Sequence, residues 1–190
     1  DEFLLSEIRA RSGWWANKFG AQLGIKGRIS DQLSYRVEGN LVRPYTFSHL
    51  TPLQVYGHRG SALAHPYGSN FAEILTEFNW SKNINPKLKL RFFASFGVRG
   101  TNVDSLNYGS DIYESYINRP DDFGNYIGQG MKQTFFITNT RASYPILKEG
   151  RIHAFAELQT QYIKIDGFKN LSVLPMIGIR SYLWNDYRNY

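Results

Sequence analysis

The sequence has no cysteine, which removes disulfide frameworks and thiolate metal sites together. No apolar run approaches the roughly 20 residues of a membrane-spanning helix. Lys and Arg outnumber Asp and Glu by 22 to 16, yet no basic run marks a nucleic-acid-binding tail. No secretory leader opens the chain, which reads as a mature protein or a fragment. There is no G-x-S-x-G nucleophile elbow and no EF-hand spacing. Aromatic residues, by contrast, are plentiful: 13 Tyr, 13 Phe and 4 Trp in 190 residues, enough chain for one sizeable domain.

Period-two alternation recurs along the chain, and helical period is scarce. It predicts strands over 15–26, 33–42, 71–80, 88–99, 134–146, 152–163 and 173–184. In the clearest of them, Leu88, Leu90, Phe92, Ala94, Phe96 and Val98 oppose Lys89, Arg91, Phe93, Ser95, Gly97 and Arg99. In the first, Trp15 and Phe19 share a face with Ala21, Leu23 and Ile25. These segments exceed the usual strand of about 5–6 residues and reach the roughly 9–11 residues that cross a bilayer at a tilt. Two long loops, 43–70 and 100–131, fall on one side of the strands. Short turns at 27–32, 81–87 and 147–150 fall on the other. A short connection at 166–170 joins the long-loop side.

Alternation alone fits a soluble sandwich as well as a membrane barrel. The polar face tips the balance, because Arg36, Glu38, Glu73, Glu77, Arg91, Arg99, Arg141, Glu157 and Arg180 recur in mid-strand. In a lumen they would pair across strands. Trp14, Trp15, Tyr45, Phe47, Trp80, Tyr144, Tyr162, Tyr182, Trp184 and Tyr187 lie near strand ends, as interfacial girdles require. The predicted class is all-β: an antiparallel transmembrane β-barrel with short periplasmic turns and long extracellular loops. About seven strands starting outside make an odd number, whereas single-chain bacterial barrels are even. The whole of 1–190 is therefore expected to be the C-terminal portion of one barrel.

The densest cluster of chemical groups lies in the first long loop. Tyr45, His49, Tyr56, His58, His65 and Tyr67 predict a polar-aromatic surface suited to sugars, whose C–H faces stack on rings. The His spacing is not that of a zinc site, so no metal is expected. In the second loop, Asn118, Arg119, Asp121 and Asp122 are candidate ligand contacts, and Asp121, Asp122 and Asn125 offer oxygens for Ca²⁺ without a full calcium loop. Ser61, Ser69, His58 and Asp111 assemble a triad only on paper. Glu73 and Glu77 share one strand face and could form an acid pair, but ion pairing with Arg36 or Arg91 on a neighbouring strand is the simpler expectation. His153 is expected in the lumen or at an interface. No enzyme activity, cofactor or nucleic-acid partner is expected.

The phrases "DEFLLSEIRARSGWWANKFG", "YRVEGNLVRPYTFSH", "YGHRGSALAHPYGSNF", "INRPDDFGNYIGQG" and "IGIRSYLW" together resemble the C-terminal half of Bacteroidetes outer-membrane proteins of the capsule-assembly Wzi-like family, including the gliding-motility RemB type. The resemblance covers nearly the whole chain and is most specific in the two long loops. It implies a barrel in the outer membrane of a Gram-negative bacterium, with membrane lipid around it. It further implies a role in attaching surface polysaccharide or in surface motility, and it carries over no binding residue. The alternatives are an outer-membrane channel or transporter, or a structural subunit among other envelope proteins of a secretion or motility complex.

Overall fold

The computed structural model describes residues 4–82, 88–146 and 152–181. Among the described residues the chain is all-β apart from one short helix, α1 (Leu5–Arg9), and two 3₁₀ turns, Pro52–Gln54 and Tyr116–Asn118. Seven strands make one antiparallel sheet: β1 (Gly20–Ser30), β2 (Leu33–Val42), β5 (Phe71–Ser81), β6 (Lys89–Thr101), β7 (Met131–Pro145), β8 (Ile152–Ile165) and β9 (Phe168–Ser181). Each pairs with its neighbour in that order. A separate two-residue hairpin, β3 (Gly57–His58) and β4 (Ser61–Ala62), lies inside the first long loop. Among the described residues β1 and β9 do not pair with each other, so both are edges.

The register places the two alternating residue sets on opposite faces, with one irregularity between Arg28 and Ser30 at the end of β1. On one face, Leu23, Gly39, Ile74, Phe96, Phe136, Tyr162 and Leu171 line up across all seven strands. The next row, two residues along, is Ile25, Val37, Thr76, Ala94, Thr138, Thr160 and Val173. Two further rows run from Gly27 to Pro175 and from Leu33 to Ile177. None of the four rows holds a charged residue. They cover about 20 Å along the strands, at roughly 3.4 Å per residue.

This apolar face is the exposed one. Leu23 is 84% exposed and Ile177 88%, whereas Ser95 and Phe135 on the other face are 4% and 2% exposed. A water-soluble sheet buries its apolar face and wets its polar one, so the distribution here is inverted. The hydroxyls of Thr138 and Thr160, which sit opposite each other mid-belt, hydrogen-bond across the strands at 2.5 Å.

All nine charged strand residues expected to share a face do share one, by register. Large apolar side chains fill in among them. Phe135 lies across from Gly97, where an added methyl would sit 2.6 Å from the Phe135 ring. Gly97 thus makes room for the ring that closes this part of the face.

The strand ends differ most from the expected ones at the starts of β1 and β9. The first strand begins at Gly20, five residues later than the alternation suggests, because Trp15 is drawn into a buried loop cluster with Ala16 and Tyr45. The last strand begins at Phe168, and the turn before it is only Asp166–Gly167. Both turn residues have positive φ, 42° and 87°, the conformation of a tight I′ hairpin that an Asp-Gly pair favours. Trp14, Trp15 and Tyr45 therefore pack within the loops rather than on an aromatic girdle. The girdle positions Tyr182, Trp184 and Tyr187, and the turn at 147–150, lie outside the described residues.

Candidate functional site

Every long connection emerges from one end of the sheet. Residues 4–19 precede β1, 43–70 join β2 to β5, and 102–130 join β6 to β7. These three segments pack on one another as a cap, and the buried apolar cluster of the molecule lies there. Strand-like hydrogen bonds stitch the first segment to the third. Trp15 N donates to Asp122 O at 2.8 Å, Gly124 N to Ser12 O at 2.8 Å and Asn125 N to Gly13 O at 2.9 Å.

Within the cap, the Trp15 ring meets Tyr45 edge-on at 6.2 Å and packs on Tyr116 at 4.6 Å. The Arg119 guanidinium sits 4.2 Å above the Trp15 ring, and the Lys18 ammonium lies 4.4 Å from the Tyr116 ring. The Tyr45 hydroxyl donates to Asn107 O at 2.8 Å. Burial pushes the Tyr45 phenol well above the usual tyrosine range, so it remains a neutral donor. Tyr45 is thus a fully buried strut and not part of the recognition surface expected of it.

The buried amides organise the cap, and their role is not evident from composition. Asn70 is fully buried with φ of 61°. Its side chain donates to Tyr108 O at 3.1 Å and Gln129 O at 3.0 Å, and accepts from Gly128 N at 2.7 Å. Gln129 in turn donates to Tyr108 O and to Asn125 Oδ1. Asn107 accepts from Gly109 N at 2.7 Å and donates to Ser115 O at 3.0 Å. The outward sign in the sequence is Asn or Gln within two residues of a Gly, a composition typical of turns.

Of the six expected loop residues, the structure sorts three outward and two downward. His49, Tyr56 and His58 are exposed, with Tyr56 packed beside Phe47 at 6.2 Å. The Tyr113 hydroxyl donates to Ser61 O at 3.2 Å, which ties the β3–β4 hairpin to the second long loop. His65 and Tyr67 turn toward the polar face of the sheet. His65 stacks on Phe71 at 4.3 Å, and its Nε2 lies 3.0 Å from Glu73 Oε1. Tyr67 packs against Phe135 at 5.1 Å, under the Arg99 guanidinium at 5.3 Å. Burial raises the Tyr67 phenol above its usual range, aided by the Glu73 charge and opposed by Arg99.

In the second loop, Arg119 pairs with Asp122 at 2.6 Å, while Asn118 and Asp121 are exposed. The Asn125 amide donates to the backbone oxygens of Asp121 and Asp122. That amide is committed to closing the turn, and among the described residues no three His, Cys, Asp or Glu side chains gather as a metal site. The triad residues are also used otherwise. Ser69 Oγ accepts from Phe47 N, and the Asp111 carboxylate accepts from Tyr113 N at 2.8 Å.

Beneath the cap, Glu73 binds Asn40 of β2 and Ser95 of β6, each at 3.1 Å, as well as His65. One carboxylate thereby joins three strands and a loop. Glu77 pairs with Arg91 at 2.9 Å and Arg36 at 3.7 Å, the ion pairing expected in place of an acid dyad. Arg36 also approaches Glu38 at 3.8 Å. Glu157 pairs with Arg141 at 2.5 Å and also accepts from Asn139. The Arg180 guanidinium lies over the Phe155 ring at 5.6 Å.

These pairs differ in burial, and their worth should differ accordingly. Arg141→Leu leaves the buried Glu157 carboxylate with only the Asn139 donor named above and is expected to cost about 2 kcal/mol, the worth of a hydrogen bond to a charged group. Arg36→Leu, whose side chain is 46% exposed, is expected to cost under about 1 kcal/mol. Equilibrium urea unfolding in detergent micelles checks the ranking, and equal losses would contradict it. Compared with protein families, with curated proteins and with solved structures, the chain finds no match.

Proposed function

We propose that this sheet is part of the wall of an outer-membrane β-barrel, with its apolar face toward lipid, its charged face toward the lumen and its loop cap outside the cell. The observation that carries this is the charge-free belt on the exposed face, three rows deep on all seven strands with a fourth row from β2 to β9. A patch of that size rimmed by polar residues marks an interaction surface. Its height suits the roughly 25 Å apolar band of such barrels. Open edges cannot face lipid, so β1 and β9 would pair with further strands.

The protein would act without catalysis, holding surface polysaccharide on the cap in the manner that the resemblance to capsule-assembly and gliding-motility proteins implies. The support is chemical: Tyr56, His49 and His58 stand exposed on a hydrogen-bonded scaffold, and rings with polar edges suit sugars. Polysaccharide purified from the surface of the producing cells should bind the full-length protein in detergent. The triple variant H49A/Y56A/H58A should bind at least about tenfold more weakly, at roughly 0.5–1.5 kcal/mol per stacked ring. Binding unchanged in the variant would reject this part of the cap as the contact.

A second reading, a channel for anions, is favoured by one observation. At the turn end of the charged face a cavity of about 320 Å³ is lined by Arg28, Lys89, Arg91 and Arg141, with Asp31 as its acid. Single-channel conductance in planar bilayers distinguishes the two: steady anion current supports the channel, and a silent bilayer supports the capped wall.

A further inference from the structure

Three lysines stand together on the apolar face, at its loop end. Lys164 of β8 is directly opposite Lys169 of β9, and Lys164 also pairs with Thr134 of β7. Lys132 is two residues before Thr134 on the same face, so it is the diagonal neighbour of Lys164. Directly opposed side chains have Cβ atoms about 4.5–5.5 Å apart, and diagonal ones about 7–8 Å. Like charges so placed destabilise a sheet. Nothing nearby relieves them: all three are exposed, and among the described residues no carboxylate comes within 4 Å of any of them, Asp166 of the adjoining turn included.

The row below them begins the belt: Phe136, Tyr162 and Leu171 follow two residues along. Lys164 and Lys169 therefore leave the sheet about 7 Å beyond the first apolar row, and Lys132 about 14 Å beyond it, where lysine stems lie along apolar surface and their heads reach for polar groups. The outward-facing residues at the same level on the other strands, Ala21, Leu41, Ala72 and Val98, carry no charge. The cations form one patch on β7–β9 and do not ring the sheet.

We infer that Lys132, Lys164 and Lys169 form a binding site for the phosphate headgroup of an acyl lipid, whose chains would lie on the belt below. The site rests on the membrane reading above. Its occupant follows from two adjoining features, uncompensated positive charge and an apolar surface continuous with it. A free anion would satisfy only the first.

The test uses the full-length protein in non-ionic detergent, with phosphatidic acid and diacylglycerol compared by native mass spectrometry. These lipids share their chains and differ in the phosphate. The wild type should retain phosphatidic acid and release diacylglycerol. Each lysine beside an anionic lipid surface is worth about a fivefold factor, so K132Q/K164Q/K169Q should retain phosphatidic acid about a hundredfold more weakly. Lys26→Gln, which removes the same charge from the opposite face, should leave retention unchanged. Equal retention of the two lipids by the wild type, unchanged retention by the triple variant, or displacement by millimolar inorganic phosphate would each overturn the inference. The single variants carry the same readout, about fivefold each, if the triple variant does not fold. Insertion into vesicles is scored separately: a wild type that does not insert defeats the membrane reading, whereas one that inserts without lipid preference defeats only the lysine site.

Discussion

Phe92→Arg is expected to keep most of the protein out of lipid vesicles, whereas Phe93→Arg, one residue along the same strand, is expected to insert nearly as well as the wild type. Phe92 faces outward between Phe78 and Thr140 in the third charge-free row, and Phe93 faces the charged side between Glu77 and Asn139. An arginine on the lipid face near the bilayer midplane costs about 2–4 kcal/mol, a factor of about 30 to 700 in the insertion equilibrium. On the other face the new guanidinium meets Glu77, and the cost should stay under about 1 kcal/mol. Val173→Arg, in the second charge-free row, should behave like Phe92→Arg. Leu53→Arg should do nothing, although Leu53 is 94% exposed, because it lies in a loop. Heat-dependent gel mobility after refolding into vesicles reads all four. In a water-soluble sheet, a substitution at the half-exposed Phe92 would fall within about 0.5 kcal/mol. Four variants that refold alike would therefore remove the membrane reading.

The strands were legible because a side chain's face depends only on its parity. Once Leu88 to Val98 alternate against Lys89 to Arg99, one register choice fixes every neighbour, and a one-residue slip would carry Arg91 and Glu77 into the apolar rows. The β2 limits, Leu33–Val42, coincide with those of the alternation. The loops follow no such rule. Trp15 alternates correctly with Phe19 and Ala21, yet it leaves the sheet because Tyr45, Tyr116 and Arg119, distant in sequence, offer it a buried site. Tyr45 looked like a surface ring for the same reason: its partner Asn107 is 62 residues away. His65 and Glu73 are eight residues apart but meet only because the loop folds back over the start of β5. The charged face of the sheet was therefore foreseeable residue by residue. The division of the loop histidines into exposed His49 and His58 and inward His65 was not, since it depends on contacts between loops.

Asn70→Leu is expected to take the cap apart while leaving the strands in place. Asn70 holds its left-handed conformation at the last residue before β5, where its backbone oxygen accepts from Gly100 N at 2.9 Å. Leucine tolerates that conformation worse by about 1 kcal/mol. It also orphans Gly128 N and Gln129 O inside a closed site, at about 1–3 kcal/mol each; Tyr108 O keeps the Gln129 amide as a partner. The sum is about 4 kcal/mol, enough to loosen the two loops around the amide network. Limited proteolysis followed by peptide mass mapping should place new cleavages in 43–70 and 102–130, with the far-ultraviolet β signal unchanged. Resistance equal to the wild type would mean that the amide network does not hold the cap. Collapse of the β signal would mean that the cap is needed for the sheet. The intermediate outcome is expected because the sheet's ladder hydrogen bonds run from strand to strand, whereas the cap is joined to the charged face chiefly through Asn70, the His65–Glu73 contact and the packing of Tyr67. With Asn70 gone, His65 loses the fixed loop that holds its ring over Phe71, and the last tether to Glu73 should loosen with it.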